Sequence, residues 1–231
     1  ALFRVFDEAI KDGVNVPQIA FMLPFGTDDN SRISLHNLYE RIYSKGRYKH
    51  LWFMWDDKPL IMARKDSLDK IDDYDKEILD FFTFRKNNPT YFDGNYPITD
   101  KTWGWCSDYA QTKFGTSLFG GIEQMCVSVA QNAADGELVA MNSGKNVQGR
   151  SFTHGNYSYS FKKGDELVTV DSSTENCMLY GLNFQQQWDY AQQVDPDLVF
   201  VTGFNEWIAG RFMEWQGTES AFPDQYNPEF S

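Results

Sequence analysis

Short apolar runs that alternate with stretches of helical periodicity constrain this chain more than any single motif. The runs are Ile19–Phe25, Leu51–Trp55, Phe81–Phe84, Trp103–Trp105, Gln124–Gln131 and Val199–Thr202. All are of strand length. Between them apolar residues return at helical spacing. Leu2, Phe3, Val5, Phe6, Ala9 and Ile10 do so before Gly13, and Ile33, Leu35, Leu38 and Ile42 do so between Ser31 and Ser44. Lys65–Ile78 is acidic and helical in character, and Phe184, Trp188 and Ala191 mark a helix over Asn183–Val194. Strands separated by helices predict a parallel sheet. No GxGxxG or GxxxxGK[ST] loop occurs, which disfavours open-sheet nucleotide binders. Six strands in 231 residues, against roughly 250 residues for a (β/α)8 barrel, predict an α/β TIM-type barrel lacking its first one or two strands. The expected organisation is a single domain over residues 1–231 with a long loop insertion at about 132–176, because loops of that length are usually functional or disordered.

Composition narrows the partners. The 33 acidic residues outnumber 21 Lys and Arg, for a net charge of −12, which opposes a phosphate backbone and predicts no nucleic-acid binding. No apolar run reaches transmembrane length and no charged-then-apolar leader is present, so a soluble chain with no membrane span is expected, with secretion left open. Seven Trp, 12 Tyr and 19 Phe supply rings for a core and for packing on the C–H faces of sugars. Cys106, Cys126 and Cys177 form no CxxC pair, and His36, His50 and His154 show no HExxH or paired spacing. Neither a disulfide framework nor a metal site is predicted, and no cofactor is called for. His36 and His50 are expected to be structural.

The run Val199–Trp207 holds the most chemistry, because it delivers Asn205, Glu206 and Trp207 past the end of a strand read as covered on both faces. Strand C-terminal ends are where barrel active sites sit. Glycosidic hydrolysis needs two carboxyl groups, one to protonate the leaving oxygen and one to act as base or nucleophile. Glu206 is the first candidate. Asp57, beside Asp56 after Leu51–Trp55, is the leading second carboxylate, with Asp108 and Glu123 as weaker options. Candidate substrate-binding residues are Trp55, Trp105, Gln131, Asn132, Arg150, His154, Asn205 and Trp207. No GxSxG elbow supports a serine hydrolase, and Cys126 within an apolar run reads as packing.

Asp57-Lys58-Pro59-Leu60, the Gly181-Leu-Asn-Phe184 lead into a helix with Trp188, and Val201-Thr-Gly-Phe-Asn-Glu-Trp207 together resemble glycoside hydrolase family 99 and its relatives, which include endo-α-mannosidases. The resemblance implies a (β/α)8 barrel and action on glycans. It also implies a second glutamate three positions after the first, thought to serve as catalytic acid. Here that position is Ala209, whose side chain transfers no proton, so the chain reads as a divergent relative. Two functions follow as expectations. One is a glycoside hydrolase acting on glycan or polysaccharide by carboxylate acid/base chemistry, with Glu206 and Asp57 as its pair. The alternative is a noncatalytic carbohydrate-binding barrel that has lost a catalytic acid.

Overall fold

A computed structural model describes residues 1–23, 29–90, 101–107, 109–117, 120–128, 131–145, 147, 158–203 and 210–224. The chain divides into two compact units, Ala1–Asn87 with Lys101–Trp103, and Asn88–Asp100 with Gly104–Ser231.

The first unit opens with α1 (Leu2–Lys11), β1 (Phe21–Met22) and α2 (Asp29–Leu38), which runs on into a π-helical turn at Tyr39–Tyr43. Then come β2 (Met54–Trp55), β3 (Lys58–Met62), α3 (Asp73–Phe81), β4 (Thr83–Thr90) and β5 (Thr102–Ser107), of which the first unit holds β4 as far as Asn87 and β5 as far as Trp103. β3 lies between β1 and β4 and is parallel to both, pairing Ile61 with Phe21 and with Phe84. The sheet order is β1-β3-β4-β5, and beside β4 the Lys86 amide donates to the Lys101 carbonyl (2.8 Å). Parallel neighbours need crossovers, supplied here by α2 and α3. Asp72 caps α3 by accepting from the Asp75 amide (2.9 Å), which satisfies one of the free donors of the first turn.

Helices cover one face of this sheet. Phe21, Ile61 and Phe84 pack with Leu35, Tyr39, Tyr43, Ile78 and Phe82 in one cluster. Its rings meet edge to face, with Tyr43 and Phe82 centroids 4.7 Å apart, an arrangement favoured by the ring quadrupoles.

Leu51–Trp55, expected to be a single strand, is interrupted. The Ile19 amide donates to the Leu51 carbonyl and the Phe53 amide to the Ile19 carbonyl, as in a parallel strand. The chain then leaves as the β2–β3 hairpin, pairing Met54 with Pro59 and Trp55 with Lys58. It rejoins the sheet at Leu60, whose amide donates to the Phe53 carbonyl (2.9 Å). Asp56 (φ 50°) and Asp57 (φ 62°) form the tip, a pair of positive-φ residues as type I′ hairpin turns require.

In the second unit β6 (Gln124–Ser128) pairs in parallel with β11 (Leu198–Thr202) over five registers. Between them lie three elements: the hairpin of β7 (Ala133–Ala134) and β8 (Glu137–Leu138), the hairpin of β9 (Ser158–Lys163) and β10 (Glu166–Asp171), and α4 (Leu182–Val194). The two hairpins fall in the segment read as a loop insertion. β12 (Phe212–Trp215) and β13 (Thr218–Ala221) make the last hairpin.

The expected (β/α)8 barrel is therefore corrected. Among the described residues there is one curled parallel sheet of four strands with β2 attached, four separate two-stranded sheets and four α-helices, and no closed barrel. Two physical reasons account for the difference. An apolar run counted as a barrel strand is broken by a hairpin, and hairpins fill much of the connection from β6 to β11. β11 also differs from the strand expected to be covered on both faces, being half-buried with Val201 40% exposed.

Candidate functional site

Three strand segments of the second unit come together near one end. β6 and β11 finish side by side at Ser128 and Thr202. The Thr202 hydroxyl donates to the Trp105 carbonyl, and Cys106 Sγ lies 3.9 Å from Ser128 Oγ. The chain leaves β11 at this end, so Asn205, Glu206 and Trp207 follow Thr202 by three to five positions. Those three residues and Ala209 lie outside the described residues, as do Arg150, His154 and Asp108.

Beneath this end runs a chain of buried amides. Gln187 Oε1 accepts from the Ser128 amide (2.8 Å) and its Nε2 donates to the Ser128 carbonyl (2.7 Å) and to Asn183 Oδ1 (2.9 Å). Asn183 Nδ2 donates to Gln131 Oε1 (3.0 Å), and Gln131 Nε2 to the Ser107 carbonyl (2.9 Å). At the other end of β6, Gln124 accepts from the Gly104 amide (3.0 Å) and donates to the Gly104 carbonyl (2.9 Å). A primary amide offers the donor and acceptor of a peptide group, so Gln124 and Gln187 each complete a strand edge as a neighbouring strand would. The network fixes the ends of β5 and β6 relative to α4.

Gln131 and Asn132, read as sugar ligands, are engaged within the chain itself. Gln131 uses both halves of its amide as above, and Asn132 Nδ2 donates to the Pro223 carbonyl (2.7 Å). Trp105 is half-buried on β5, and Glu123 is buried at the start of β6, away from the Ser128 end. Cys126 is fully buried, and burial pushes its thiol far above the ordinary range.

In the first unit, Asp56 Oδ2 accepts from the Arg85 guanidinium (3.0 Å). Arg85 is only 2% exposed and its guanidinium lies 5.5 Å from the Trp103 ring centroid. Trp55 meets Trp103 edge to face at 4.9 Å and stacks near Phe53 at 6.3 Å. Asp57 is exposed beside Asp56 at the tip of the hairpin, so it is a turn residue and does not end a strand of the parallel ladder. His36 bonds Asp75 and His50 bonds Asp7 (3.1 Å), both as braces between elements.

Sequence reasoning missed Arg85, Asn87, Gln124, Asn183 and Gln187. A signal was present for some of them. Thr83, Arg85 and Asn87 repeat at the strand period, and Asn183 and Gln187 stand four apart on one helix face. Among the described residues no group of three His, Cys, Asp or Glu side chains converges as a metal ion needs, and no helix is long and apolar enough to cross a membrane. No family model, no curated protein and no solved structure matches the chain.

Proposed function

We propose that the chain is a glycoside hydrolase acting on glycan or polysaccharide substrates, with Glu206 as the acid/base residue. The observation that carries this reading is the parallel pairing of β11 with β6 through Thr202 and Ser128. Phe204-Asn205-Glu206-Trp207 follow Thr202 in the sequence, after the C-terminal end of a parallel pair, and open and closed α/β sheets alike carry their ligands at such ends. An acid, an amide and an indole suit the task. The acid protonates the leaving oxygen, the amide bonds a ring hydroxyl, and the indole packs on the C–H face. The buried amide chain supports the reading by holding the ends of β5 and β6 in place, as a site needs from its surroundings. Asp57 is the candidate that the sequence offers for the second carboxylate, and as a hairpin-tip residue it needs a test of its own. The likeness of the Asn205–Trp207 stretch to glycoside hydrolase family 99 favours the same chemistry, while Ala209 favours a mechanism that departs from that family's.

Hydrolysis of an α- and β-linked oligosaccharide panel by the native protein and by Glu206→Gln tests the proposal. General acid catalysis contributes about 10²–10⁴-fold, and a loss in that range is the expected result. Equal turnover in both proteins removes Glu206 from the mechanism. Saturable binding with no turnover in either protein favours the noncatalytic carbohydrate-binding reading, for which Ala209 is the supporting residue.

A further inference from the structure

All seven methionines of the chain lie among the described residues, and the fold sorts them into three groups. Met62 on β3, Met125 on β6 and Met141 are buried, the last in a cluster with Ala134, Val139 and Val147. Met22, Met54 and Met178 are 44%, 41% and 46% exposed. Met213 on β12 stands alone at 84%. A thioether normally fills gaps in a core, so one carried almost wholly in solvent contributes little to packing and keeps only its chemistry.

The hairpin that carries Met213 is anchored elsewhere. Asn142 Nδ2 donates to the Ser220 carbonyl (3.1 Å), the Phe222 amide donates to Asn142 Oδ1 (3.0 Å), and the Met141 amide donates to the Phe222 carbonyl (2.8 Å). Ala221 of β13 is fully buried, whereas Phe212, Met213 and Glu214 of β12 are exposed. Met213 falls between the paired positions Phe212–Ala221 and Glu214–Glu219, so its side chain leaves the hairpin on the face opposite Phe212 and Glu214. An oxygen added to its sulfur meets solvent. One added to Met125 or Met141 would place a polar group in a closed core. The thiols do not compete at the surface. Cys106, Cys126 and Cys177 are all buried, and burial pushes the Cys126 thiol far above its ordinary range, which removes the thiolate that an oxidant attacks.

We propose that Met213 is a reversible oxidation site, the residue on which the folded chain takes up a hydroperoxide. With hydrogen peroxide, a sulfur lone pair attacks one peroxide oxygen and the S–O bond forms as the O–O bond breaks. The sulfur gives up two electrons, the departing hydroxide takes the proton of the transferred hydroxyl, and water leaves. The reverse step needs a dithiol reductant, which supplies two electrons and two protons, becomes a disulfide, and releases the sulfoxide oxygen as water. An open β12 side chain is accessible to both reactions. Neither step involves Glu206 or a glycan, so the site stands apart from the hydrolase reading.

Peptide mass spectrometry of native protein sampled over time in dilute hydrogen peroxide tests the proposal. The first oxygen is expected on Met213, at a rate about twofold or more above Met22, Met54 and Met178 and about tenfold or more above Met62, Met125 and Met141. In urea-unfolded protein the rates should converge, which assigns the order to the fold. Met213→Leu should remove the fastest phase and leave the other rates unchanged. Methionine sulfoxide reductases of both epimer specificities, with dithiothreitol, should return Met213 to the thioether. A first oxygen on another methionine, a Met213 rate no higher than those of Met22, Met54 and Met178, the same order of rates in urea, or a sulfoxide that the reductases leave in place overturns the proposal.

Discussion

Gln187 brackets Ser128, taking the Ser128 amide on its Oε1 at 2.8 Å and giving its Nε2 to the Ser128 carbonyl at 2.7 Å, with no solvent exposure on either residue. Through this pair a helix side chain finishes the edge of β6 that does not face β11. Replacing Gln187 with Leu leaves both backbone groups and Asn183 Oδ1 short of a partner. Each orphaned buried group costs about 1–3 kcal/mol, so a loss of about 3–5 kcal/mol is expected in urea unfolding. A loss under about 1 kcal/mol would show that water takes the place of the amide.

Asp75 ties α3 to α2. Its fully buried carboxylate accepts from Arg32 Nε (2.8 Å), from the Asp69 amide (2.6 Å) and bonds the His36 ring. Burial pushes its carboxyl up, but the Asp69 amide, the Arg32 guanidinium and the His36 ring together hold it below the ordinary value. A group depressed in the folded state stabilises the fold above its unfolded pKa of about 3.9 and loses that contribution as pH falls through the folded value. Native protein is therefore expected to lose urea resistance steeply below about pH 4. Asp75→Asn should be weaker by about 1–3 kcal/mol at neutral pH and show a flatter acid limb. An identical acid limb in the variant would assign the pH dependence to other carboxylates.

The alternation of strands and helices was legible because it rests on period. α1, α4, β6 and β11 all overlap the stretches whose spacing announces them, with α4 and β11 each starting one residue earlier. What stayed hidden was polar. Arg85-Lys-Asn-Asn88 reads as loop because those residues have poor strand propensity, yet β4 runs to Thr90 with Arg85 and Asn87 buried. Phe184, Trp188 and Ala191 announce the helix, but its side toward β6 also carries the buried Asn183 and Gln187. Periodicity of apolar residues cannot reveal a face whose buried positions are amides. The same limit explains the hairpin at Asp56 and Asp57. A type I′ turn is usually announced by a glycine, and here both tip residues are aspartates. At the candidate site, Glu206 is proposed from its place after an apolar strand and lies outside the described residues. The engagement of Gln131 and Asn132 with the chain's own carbonyls was not legible, because a free amide and a paired one are the same letter.

Gly104 has a packing reason that its backbone angle does not supply. A Cβ there would lie 2.6 Å from Phe114 Cζ and 3.0 Å from Cys126 Sγ, and both neighbours are fully buried. Neither can swing away into solvent. Gly104→Ala should destabilise by about 1–3 kcal/mol as an overpacked core does, and it should also disturb the Gln124 bracket formed on the Gly104 amide and carbonyl. Thermal unfolding followed by circular dichroism measures the loss. Coupling to Gln124 would appear as a double-mutant energy for Gly104→Ala with Gln124→Met that departs from additivity by more than about 0.5 kcal/mol.

Asp57 offers a way to separate the hairpin from the chemistry. It sits at φ 62°, a conformation that costs a residue with a Cβ roughly 1–2 kcal/mol and glycine nothing. Its neighbour Asp56, not Asp57, holds the ion pair with Arg85. Asp57→Gly therefore keeps the turn and its contacts, and the melting temperature should hold or rise by a few degrees. If Asp57 is the second carboxylate, the same variant loses glycan hydrolysis by about 10²-fold or more with the fold intact. If hydrolysis persists within threefold of the native rate, Asp57 is a turn residue alone and the carboxylate opposite Glu206 comes from another part of the chain.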